Sequence, residues 1–196
     1  MSKKIENFSG IDIYLLDLLL KGFIHDDQEI LDLGCGSGRN IKYFLSQNMH
    51  VTGVDLDEQC LLELKGLYPE KSSRFIHSSI EEFENGKNYD VIICNAVLHF
   101  AKDHKDFDVQ FEKLISLLNP NGLIFIRMTS NIGIDTRELE GVNGRFCLKD
   151  ETIRYLITAE KIQELMRKFD LKKLEPIKST VVEGVRSMAT LVFTRS

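Results

Sequence analysis

The chain has 196 residues, of which 43% are hydrophobic and 28% are charged, and its formal net charge is −5. This length and composition are typical of one soluble globular domain with a substantial core. The acidic balance disfavours a nucleic-acid partner, because such proteins need basic surface to bind phosphates. The four cysteines form no C-x-x-C pair, which argues against a metal or redox motif and favours reduced thiols in the cytoplasm.

The N-terminal segment lacks the long apolar run of a secretion signal. The apolar stretch at residues 11–20 is too short to cross a bilayer and contains Asp12 and Asp17, so we expect no membrane partner. We interpret about residues 7–23 as a helix that packs on the domain. The whole chain, residues 1–196, is predicted to form a single cytoplasmic domain.

The most informative segment is residues 30–40, with the sequence I-L-D-L-G-C-G-S-G-R-N. A short apolar run that ends in closely spaced glycines predicts a strand that turns directly into a helix. Glycine allows the backbone to turn tightly and to approach a ligand closely. The spacing differs from the dinucleotide fingerprint G-x-G-x-x-G, because the third glycine comes one residue early and Arg39 stands in its place.

The elements after this segment alternate between strand and helix patterns. Strands are predicted at about residues 50–54, 73–77, 89–94 and 123–128, with helical spacing of apolar residues between them. Asp57 is well placed to cap the helix that follows the second strand. Such alternation predicts a doubly wound, mainly parallel α/β sheet.

The C-terminal third has a different pattern. Residues 129–151 contain three glycines and little periodicity, which predicts a long functional loop. A helix capped by Thr158 follows, and then two strands at about residues 171–181 and 186–194. Pro176 cannot donate a ladder hydrogen bond, so we place the first of these strands at the sheet edge.

The string D-L-G-C-G-S-G at residues 32–38 resembles the first motif of the class I S-adenosylmethionine-dependent methyltransferases. The resemblance implies a Rossmann-like sheet of seven strands, the last antiparallel, with helices on both faces. It implies a donor-binding core at about residues 28–128, a substrate loop at 129–151, and a C-terminal helix with closing strands at 152–196. It also implies S-adenosylmethionine as methyl donor, S-adenosylhomocysteine as product, and no metal.

The resemblance places the donor at the carboxyl ends of the strands, where open α/β sheets bind ligands. Asp32 would meet the donor's ammonium group and Asp55 its ribose hydroxyls, with a capping or turn role as the alternative for Asp55. Leu56 would lie against the adenine. The family usually has an acid or amide near position 79, whereas this chain has Ser79 and then Glu81, so the residue that reads the adenine amino group stays open. The predicted donor-binding residues are Asp32, Gly34, Cys35, Gly36, Gly38, Asn40, Asp55, Leu56, Ser79, Ile80, Glu81, Asn95 and Ala96.

The fourth strand ends in C-N-A-V-L-H at residues 94–99, a stretch that lines the space between donor and acceptor in the family. Asn95 is predicted to face the donor. His99 is a candidate general base, or only an anchor of the loop, and positioning with electrostatics can carry most of an in-line transfer without it. The chain lacks the N/D-P-P-Y/F motif of methyltransferases that act on adenine, cytosine or glutamine amino groups.

The C-terminal segments loosely resemble the tellurite-resistance group of methyltransferases. The matching pieces are residues 39–40, 145–146, 154–156, 175–178 and 186–190. This resemblance implies a small, soft acceptor such as a chalcogen oxyanion or a thiol. Four arginines could present guanidinium groups to an anion: Arg127, Arg145, Arg154 and Arg186. Arg127 and Arg186 are the preferred pair, with surface or salt-bridging roles as the alternative.

Other classes of function stay open. The acceptor is predicted to be a small molecule, because the chain shows no basic stripe and no added recognition domain. The alternatives are a protein or other macromolecular acceptor, or a non-catalytic module that binds S-adenosylmethionine. A nicotinamide-dependent oxidoreductase is the least favoured class, because the glycine spacing and the two closing strands count against it.

Overall fold

The computed structural model describes residues 10–137 and 139–195. Its α-helices are α1 (Ile13–Leu20), α2 (Ile41–Ser46), α3 (Glu58–Leu67), α4 (His104–Ser116) and α5 (Ala159–Lys168). Its 3-10 helices are Pro69–Arg74 and Leu98–Phe100. Its strands are β1 (Glu29–Leu33), β2 (His50–Asp55), β3 (Phe75–His77), β4 (Tyr89–Asn95), β5 (Leu118–Ser130), β6 (Gly141–Val142), β7 (Arg145–Cys147), β8 (Ile153–Tyr155), β9 (Leu171–Lys173), β10 (Lys178–Val182) and β11 (Arg186–Arg195).

Eight strands of the described residues form one central sheet, in the order β10-β11-β5-β4-β1-β2-β3 with β9 also paired to β11. All pairings among strands β1 to β5 are parallel. β11 is antiparallel to each of its partners, β5, β9 and β10. The chain order reverses between β1 and β4, which is where open α/β sheets bind ligands. The predicted doubly wound sheet with an antiparallel last strand is confirmed, with eight strands in place of seven.

The additional strand arises because the strand predicted at residues 171–181 is divided. β9 and β10 pair with different parts of β11, and Pro176 lies in the break between them. Proline has no N–H to donate to the ladder, so the pairing is interrupted there. The edge position predicted from Pro176 is confirmed, since β10 is the last strand of the sheet.

Helices cover both faces of the sheet. One hydrophobic cluster contains buried residues of α4 and α5, such as Phe111 and Leu165, and the other contains residues of α1, α2 and α3, such as Leu18 and Phe44. β4 is buried along almost its whole length, as expected of a parallel strand covered on both sides. Burial of each such side chain contributes roughly 1.5–3 kcal/mol to the stability of the fold. The two clusters therefore fix the helices firmly on the two faces of the sheet.

The helix predicted at about residues 7–23 is shorter in the structure. α1 begins after Asp12, whose carboxylate accepts the Tyr14 N–H at 3.0 Å as an N-cap, and it ends at Leu20. Residues 7–9 of the predicted helix lie outside the described residues. Within residues 10–137 and 139–195, no helix is long and apolar enough to cross a membrane.

The segment predicted as a long loop contains regular structure. β6, β7 and β8 form a small antiparallel sheet, and β5 extends to Ser130. The expectation of a loop over residues 129–151 is therefore wrong for 129–130, 141–142 and 145–147. The hydroxyl of Thr129, in β5, donates to the carbonyl of Tyr155, in β8, at 2.8 Å and ties the small sheet to the central one. Strands of two and three residues are too short to show an alternating pattern, which is why the sequence did not reveal them.

Candidate functional site

The turn after β1 carries three glycines with positive φ, at 79° for Gly34, 52° for Gly36 and 82° for Gly38. A Cβ on Gly34 would lie 2.1 Å from the Val97 side chain, and one on Gly38 would lie 2.5 Å from Leu64. A Cβ on Gly36 would meet nothing within 4 Å. The outer glycines therefore allow the turn to pack closely, and the middle one leaves the backbone open to a ligand.

Asp55, at the end of β2, holds this turn. Its Oδ2 accepts the Gly36 N–H at 2.7 Å and its Oδ1 accepts the Asp57 N–H at 2.8 Å. Each oxygen keeps a second lone pair, so the turn role of Asp55 is compatible with accepting ligand hydroxyls. Asp57 accepts the Cys60 N–H at 3.1 Å, which confirms the predicted cap of α3.

A cleft of about 680 Å³ opens at the carboxyl edge of the sheet beside Asp55. The predicted donor-binding residues that line it are Gly34, Asp55, Leu56, Ser79, Ile80, Glu81 and Ala96. Leu56 stands at this cleft with 67% of its surface exposed, so its side chain is accessible to a flat ligand. The cleft therefore joins the ends of β1, β2, β3 and β4, as the predicted donor site requires.

Residues of α4 and the segment before it complete the cleft, and sequence analysis did not identify them. Phe100, Lys102, Asp106 and Gln110 line it. Gln110 Nε2 donates to Glu81 Oε1 at 2.8 Å, so Glu81 is held in place from the opposite wall. No local pattern marks these residues, because only the packing of α4 beside β4 brings them to the cleft.

Ser79 and Glu81 were alternatives for the residue that reads an adenine amino group. The hydroxyl of Ser79 accepts the Glu82 N–H at 3.2 Å, which is the capping role considered for it. Glu81 keeps its second carboxylate oxygen free of the Gln110 hydrogen bond. Both residues line the cleft, and the choice between them stays a prediction.

Asp32 is 1% exposed, and neither of its carboxylate oxygens has a hydrogen-bond partner in the described part of the chain. Burial raises the pKa of Asp32 to about 7; the positive charge of Arg39 opposes this and the charge of Asp55 adds to it. A buried unpaired carboxylate is costly, and a cationic ligand group would relieve that cost. Asp32 lies one residue before the end of β1, next to the glycine turn.

The buried cysteines are not nucleophiles. Burial raises the pKa of the Cys35 thiol, beneath the glycine turn, and that of the Cys94 thiol, in β4, so both stay protonated at neutral pH. Among residues 10–137 and 139–195, no group of three or more His, Cys, Asp and Glu side chains is arranged to hold a metal ion.

Asp12, which sequence analysis did not select, is the centre of a buried polar cluster beside the site. Its Oδ2 accepts from Arg127 Nη1 at 2.7 Å and from Asn95 Nδ2 at 3.1 Å. Its backbone N–H donates to Asn40 Oδ1 at 3.1 Å, and Arg39 Nη2 lies 3.8 Å from the same Oδ2. The predicted donor-binding residues Asn40 and Asn95 are thus joined through the N-cap of α1. An aspartate directly before an apolar helical run is an N-cap signal that would have identified it.

The predicted anion pair of Arg127 and Arg186 is not formed. Arg127 stands opposite Thr190 in the β5–β11 pairing, four residues along β11 from Arg186. Arg127 is paired with Asp12, whereas the half-exposed Arg186 has its Nη1 3.7 Å from Asp150. Each guanidinium group thus lies near a different carboxylate, and an anion-binding role for either arginine stays a prediction.

His99 lies in the 3-10 helix Leu98–Phe100, is 7% exposed, and has no hydrogen-bond partner for Nδ1 among the described residues. Burial, and to a smaller extent the positive charge of Arg154, lower the pKa of His99 to about 4. The imidazole is therefore neutral at pH 7, and the low pKa makes it a weak proton acceptor there. Its side chain is not part of the cleft lining, and its role as general base stays a prediction.

Three features together define the class I methyltransferase fold. They are the parallel sheet with an antiparallel closing strand, the glycine turn after β1, and the acid after β2. Residues 11–175 match a methyltransferase domain family. Because this match covers most of the chain, the chain belongs to that methyltransferase family. The resemblance predicted from residues 32–38 is confirmed.

Curated relatives are similar over part of their length. Trans-aconitate 2-methyltransferase from Enterobacter sp. (strain 638) is 32% identical over 118 residues, which are 59% of this chain and 45% of the relative. Ubiquinone biosynthesis O-methyltransferase from Rickettsia typhi is 33% identical over 101 residues, which are 50% of this chain and 39% of the relative. The chain thus spans less than half the length of these relatives.

Solved structures share the fold. The 1,6-didemethyltoxoflavin-N1-methyltransferase of Burkholderia thailandensis, solved with S-adenosylhomocysteine, has a TM-score of 0.69 at 20% identity over 91% of this chain and 75% of that chain. TehB from Haemophilus influenzae has a TM-score of 0.67 at 19% identity over 92% and 62% of the two chains. At these identities the similarity establishes the fold alone.

Proposed function

We propose that this protein transfers a methyl group from S-adenosylmethionine to a small-molecule acceptor. The observation that carries the proposal is the cleft at the reversal of strand order, where the open backbone of Gly36, the carboxylate of Asp55 and the buried unpaired Asp32 lie at one sheet edge. Membership of the methyltransferase family supports the same activity.

The residues at this edge fit S-adenosylmethionine. The unpaired carboxylate of Asp32 suits the ammonium group, and Asp55 has lone pairs for two ribose hydroxyls. Leu56 and Ile80 offer apolar contact to the adenine. The backbone at Gly36 is open to close approach, because no side chain lies within 4 Å of its Cβ position.

S-adenosylmethionine supplies a methyl group on a positively charged sulfur; the C–S bond breaks, the acceptor's nucleophilic atom bonds the methyl carbon, and the sulfur keeps the electron pair. The contribution of this chain is to hold the acceptor in line and to shield the reaction from water. His99, neutral at pH 7, is the candidate to take a proton from an acceptor that carries one. An acceptor that is already anionic at the reacting atom needs no base.

The names of the similar proteins support a small-molecule acceptor, since they specify trans-aconitate, ubiquinone biosynthesis and 1,6-didemethyltoxoflavin. The finer possibility of a chalcogen oxyanion or a thiol rests on the looser resemblance of the C-terminal segments. The alternatives are a macromolecular acceptor and a non-catalytic donor-binding module. Both of them predict no turnover of small acceptors.

The test is release of S-adenosylhomocysteine when the purified protein is incubated with S-adenosylmethionine and a panel of acceptors. The panel contains tellurite, selenite, thiols, phenols, amines and small carboxylates that include trans-aconitate. Turnover with one class supports the proposal and identifies the acceptor chemistry. Donor binding without turnover favours a macromolecular acceptor or a non-catalytic role, and absence of donor binding contradicts the proposal.

A further inference from the structure

Arg154, on β8, differs from Arg39, Arg127 and Arg186, each of which lies within 4 Å of a carboxylate. Arg39 and Arg127 face the Asp12 carboxylate, and Arg186 faces Asp150. In the part of the chain that the structure describes, Arg154 has no ion pair. Its Nη1 donates at 2.8 Å to the carbonyl of the preceding residue, and the other guanidinium donors stay available.

Arg154 contacts one aromatic ring that lines the cleft and stands opposite a second aromatic residue in the small sheet. Its guanidinium carbon is 4.8 Å from the centre of the Phe100 ring. Phe100 lines the cleft and is 59% exposed, so this ring presents an apolar surface to any molecule bound there. Phe146 stands opposite Arg154 in the β7–β8 pairing, and residues directly opposite share a face of the sheet.

His99 adjoins the same ring, with its imidazole centre 4.5 Å from that of Phe100. Its Nδ1 is buried and has no partner among the described residues, which is costly for a polar atom. A polar group of a molecule that reaches past Phe100 would satisfy this nitrogen. The free guanidinium, the exposed ring and the unpartnered imidazole therefore converge where the end of β4 meets the small sheet β6–β8.

We propose that Arg154 binds a carboxylate of the methyl acceptor, and that a flat, unsaturated or aromatic part of the same molecule packs against Phe100. The planar guanidinium matches a carboxylate with two parallel hydrogen bonds, and stacking on a ring orients it in advance. One unpaired guanidinium balances one negative charge, which suits a carboxylate. This inference rests on the proposed function, because it concerns the acceptor side of the same cleft.

The test is calorimetric titration of the S-adenosylhomocysteine-loaded protein with benzoate and with trans-aconitate, and with their neutral counterparts benzamide and the trimethyl ester. Arg154→Gln should weaken binding of the two carboxylates at least tenfold, and Arg154→Lys should weaken it less because it keeps the charge. Arg167→Gln, on the exposed surface of α5, is the matched control and should leave binding unchanged. Affinity for S-adenosylhomocysteine should stay within twofold in all three variants, which shows that the fold is intact.

Three results would overturn the inference: no binding of either carboxylate to the wild type, equal binding of acid and neutral counterpart, or equal binding by Arg154→Gln. Failure of the proposed function looks different, because it appears as loss of donor binding or of methyl transfer in the wild type. If S-adenosylhomocysteine does not bind, the same titrations without it still decide whether Arg154 holds a carboxylate. Turnover of tellurite or a thiol at wild-type rate by Arg154→Gln would support the proposed function and contradict this inference.

Discussion

At the residue scale, two buried aspartates differ in their hydrogen bonding. Asp12 receives hydrogen bonds from Arg127 and Asn95, so its negative charge is well compensated. Asp32 has no partner for either oxygen, and burial raises its pKa to about 7. Strongly shifted titratable groups are typical of functional sites, and Asp32 lies buried in β1, two residues before Gly34, which lines the cleft.

The raised pKa of Asp32 predicts a pH dependence of stability. The folded-state pKa of about 7 exceeds the usual 3.8, so this contribution to stability is present below about pH 4 and is lost as the pH rises toward 7. Asp32→Asn should remove the loss and raise the free energy of unfolding at pH 8 by on the order of 2–4 kcal/mol. Urea denaturation of both proteins at pH 5 and pH 8 measures this difference. Asp26→Asn, an exposed substitution, is the control, and an unchanged pH dependence in Asp32→Asn would refute the assignment.

Removal of the Asp55 carboxylate should weaken donor binding. Hydrogen bonds to a charged group contribute roughly 1.5–3 kcal/mol each, so Asp55→Ala should lower the affinity for S-adenosylhomocysteine at least tenfold. Calorimetry measures the affinity, and Asp55→Asn, which keeps one acceptor oxygen for the turn, should show a smaller loss. Asp57→Ala removes the cap of α3 and serves as control: it should lower stability by about 1 kcal/mol and leave affinity nearly unchanged. Wild-type affinity in Asp55→Ala would rule out the ribose role.

At the scale of elements, short segments with little pattern of their own shape the acceptor side. The 3-10 helix Leu98–Phe100 carries the exposed ring at the cleft, and β8 carries the arginine that stacks on it. The N-cap of α1 is anchored to β4 and β5 through Asp12, which closes the edge of the site beside the glycine turn. These elements are positioned by contacts with the central sheet rather than by their own propensity.

The segment between β5 and β6 is predicted to be mobile without ligand and ordered with it. The small sheet β6–β8 is hydrogen-bonded to β5, so the mobile part should lie at residues 131–137 and 139–140 rather than across 129–151. Arg137, with 88% of its side chain exposed, is a suitable trypsin site in that part. S-adenosylhomocysteine, with or without an acceptor, should slow cleavage there several-fold, as limited proteolysis with mass spectrometry would show. Equal cleavage rates in all conditions would argue that the segment is not a lid.

At the scale of the whole molecule, family membership and fold agree on the class of protein. Neither of them identifies the methyl acceptor, which depends on the side chains around the cleft. One fold supports many acceptors because the sheet supplies the donor site and variable segments supply the rest. The chain spans less than half the length of the curated relatives that it matches, so the parts of those relatives beyond the matched region have no counterpart in the comparison.

Donor binding should stabilise the whole molecule by mass action. At a ligand concentration of 100 times Kd, the free energy of unfolding should rise by about 2.7 kcal/mol, which for a chain of this size raises Tm by roughly 5–10 °C. Thermal denaturation with S-adenosylhomocysteine measures this shift, and NADH at equal concentration is the control. A shift with NADH and none with S-adenosylhomocysteine would favour the oxidoreductase alternative.

The sequence was sufficient to predict the sheet, and it also predicts the donor site at the carboxyl ends of the strands. The strand–glycine–helix segment, the acid after the second strand and the alternation of elements are local patterns, each readable within a few tens of residues. The cap by Asp57 and the edge strand near Pro176 were predicted for the same reason, since capping and the missing N–H act on immediate neighbours. The seven-strand expectation missed the interruption that divides β9 from β10.

The acceptor side was decided only by the tertiary structure. Asp12 contacts Asn95, which is 83 positions away in the sequence, and Arg127, which is 115 positions away. No local sequence pattern encodes such contacts. The same packing pairs Arg127 with Asp12. Arg154 has no ion pair among the described residues and stacks on the Phe100 ring. Short-range patterns in the sequence were thus enough to predict the class of fold, and the donor-binding residues remain a prediction. Which charges are compensated and which stay free for an acceptor depended on how distant segments pack.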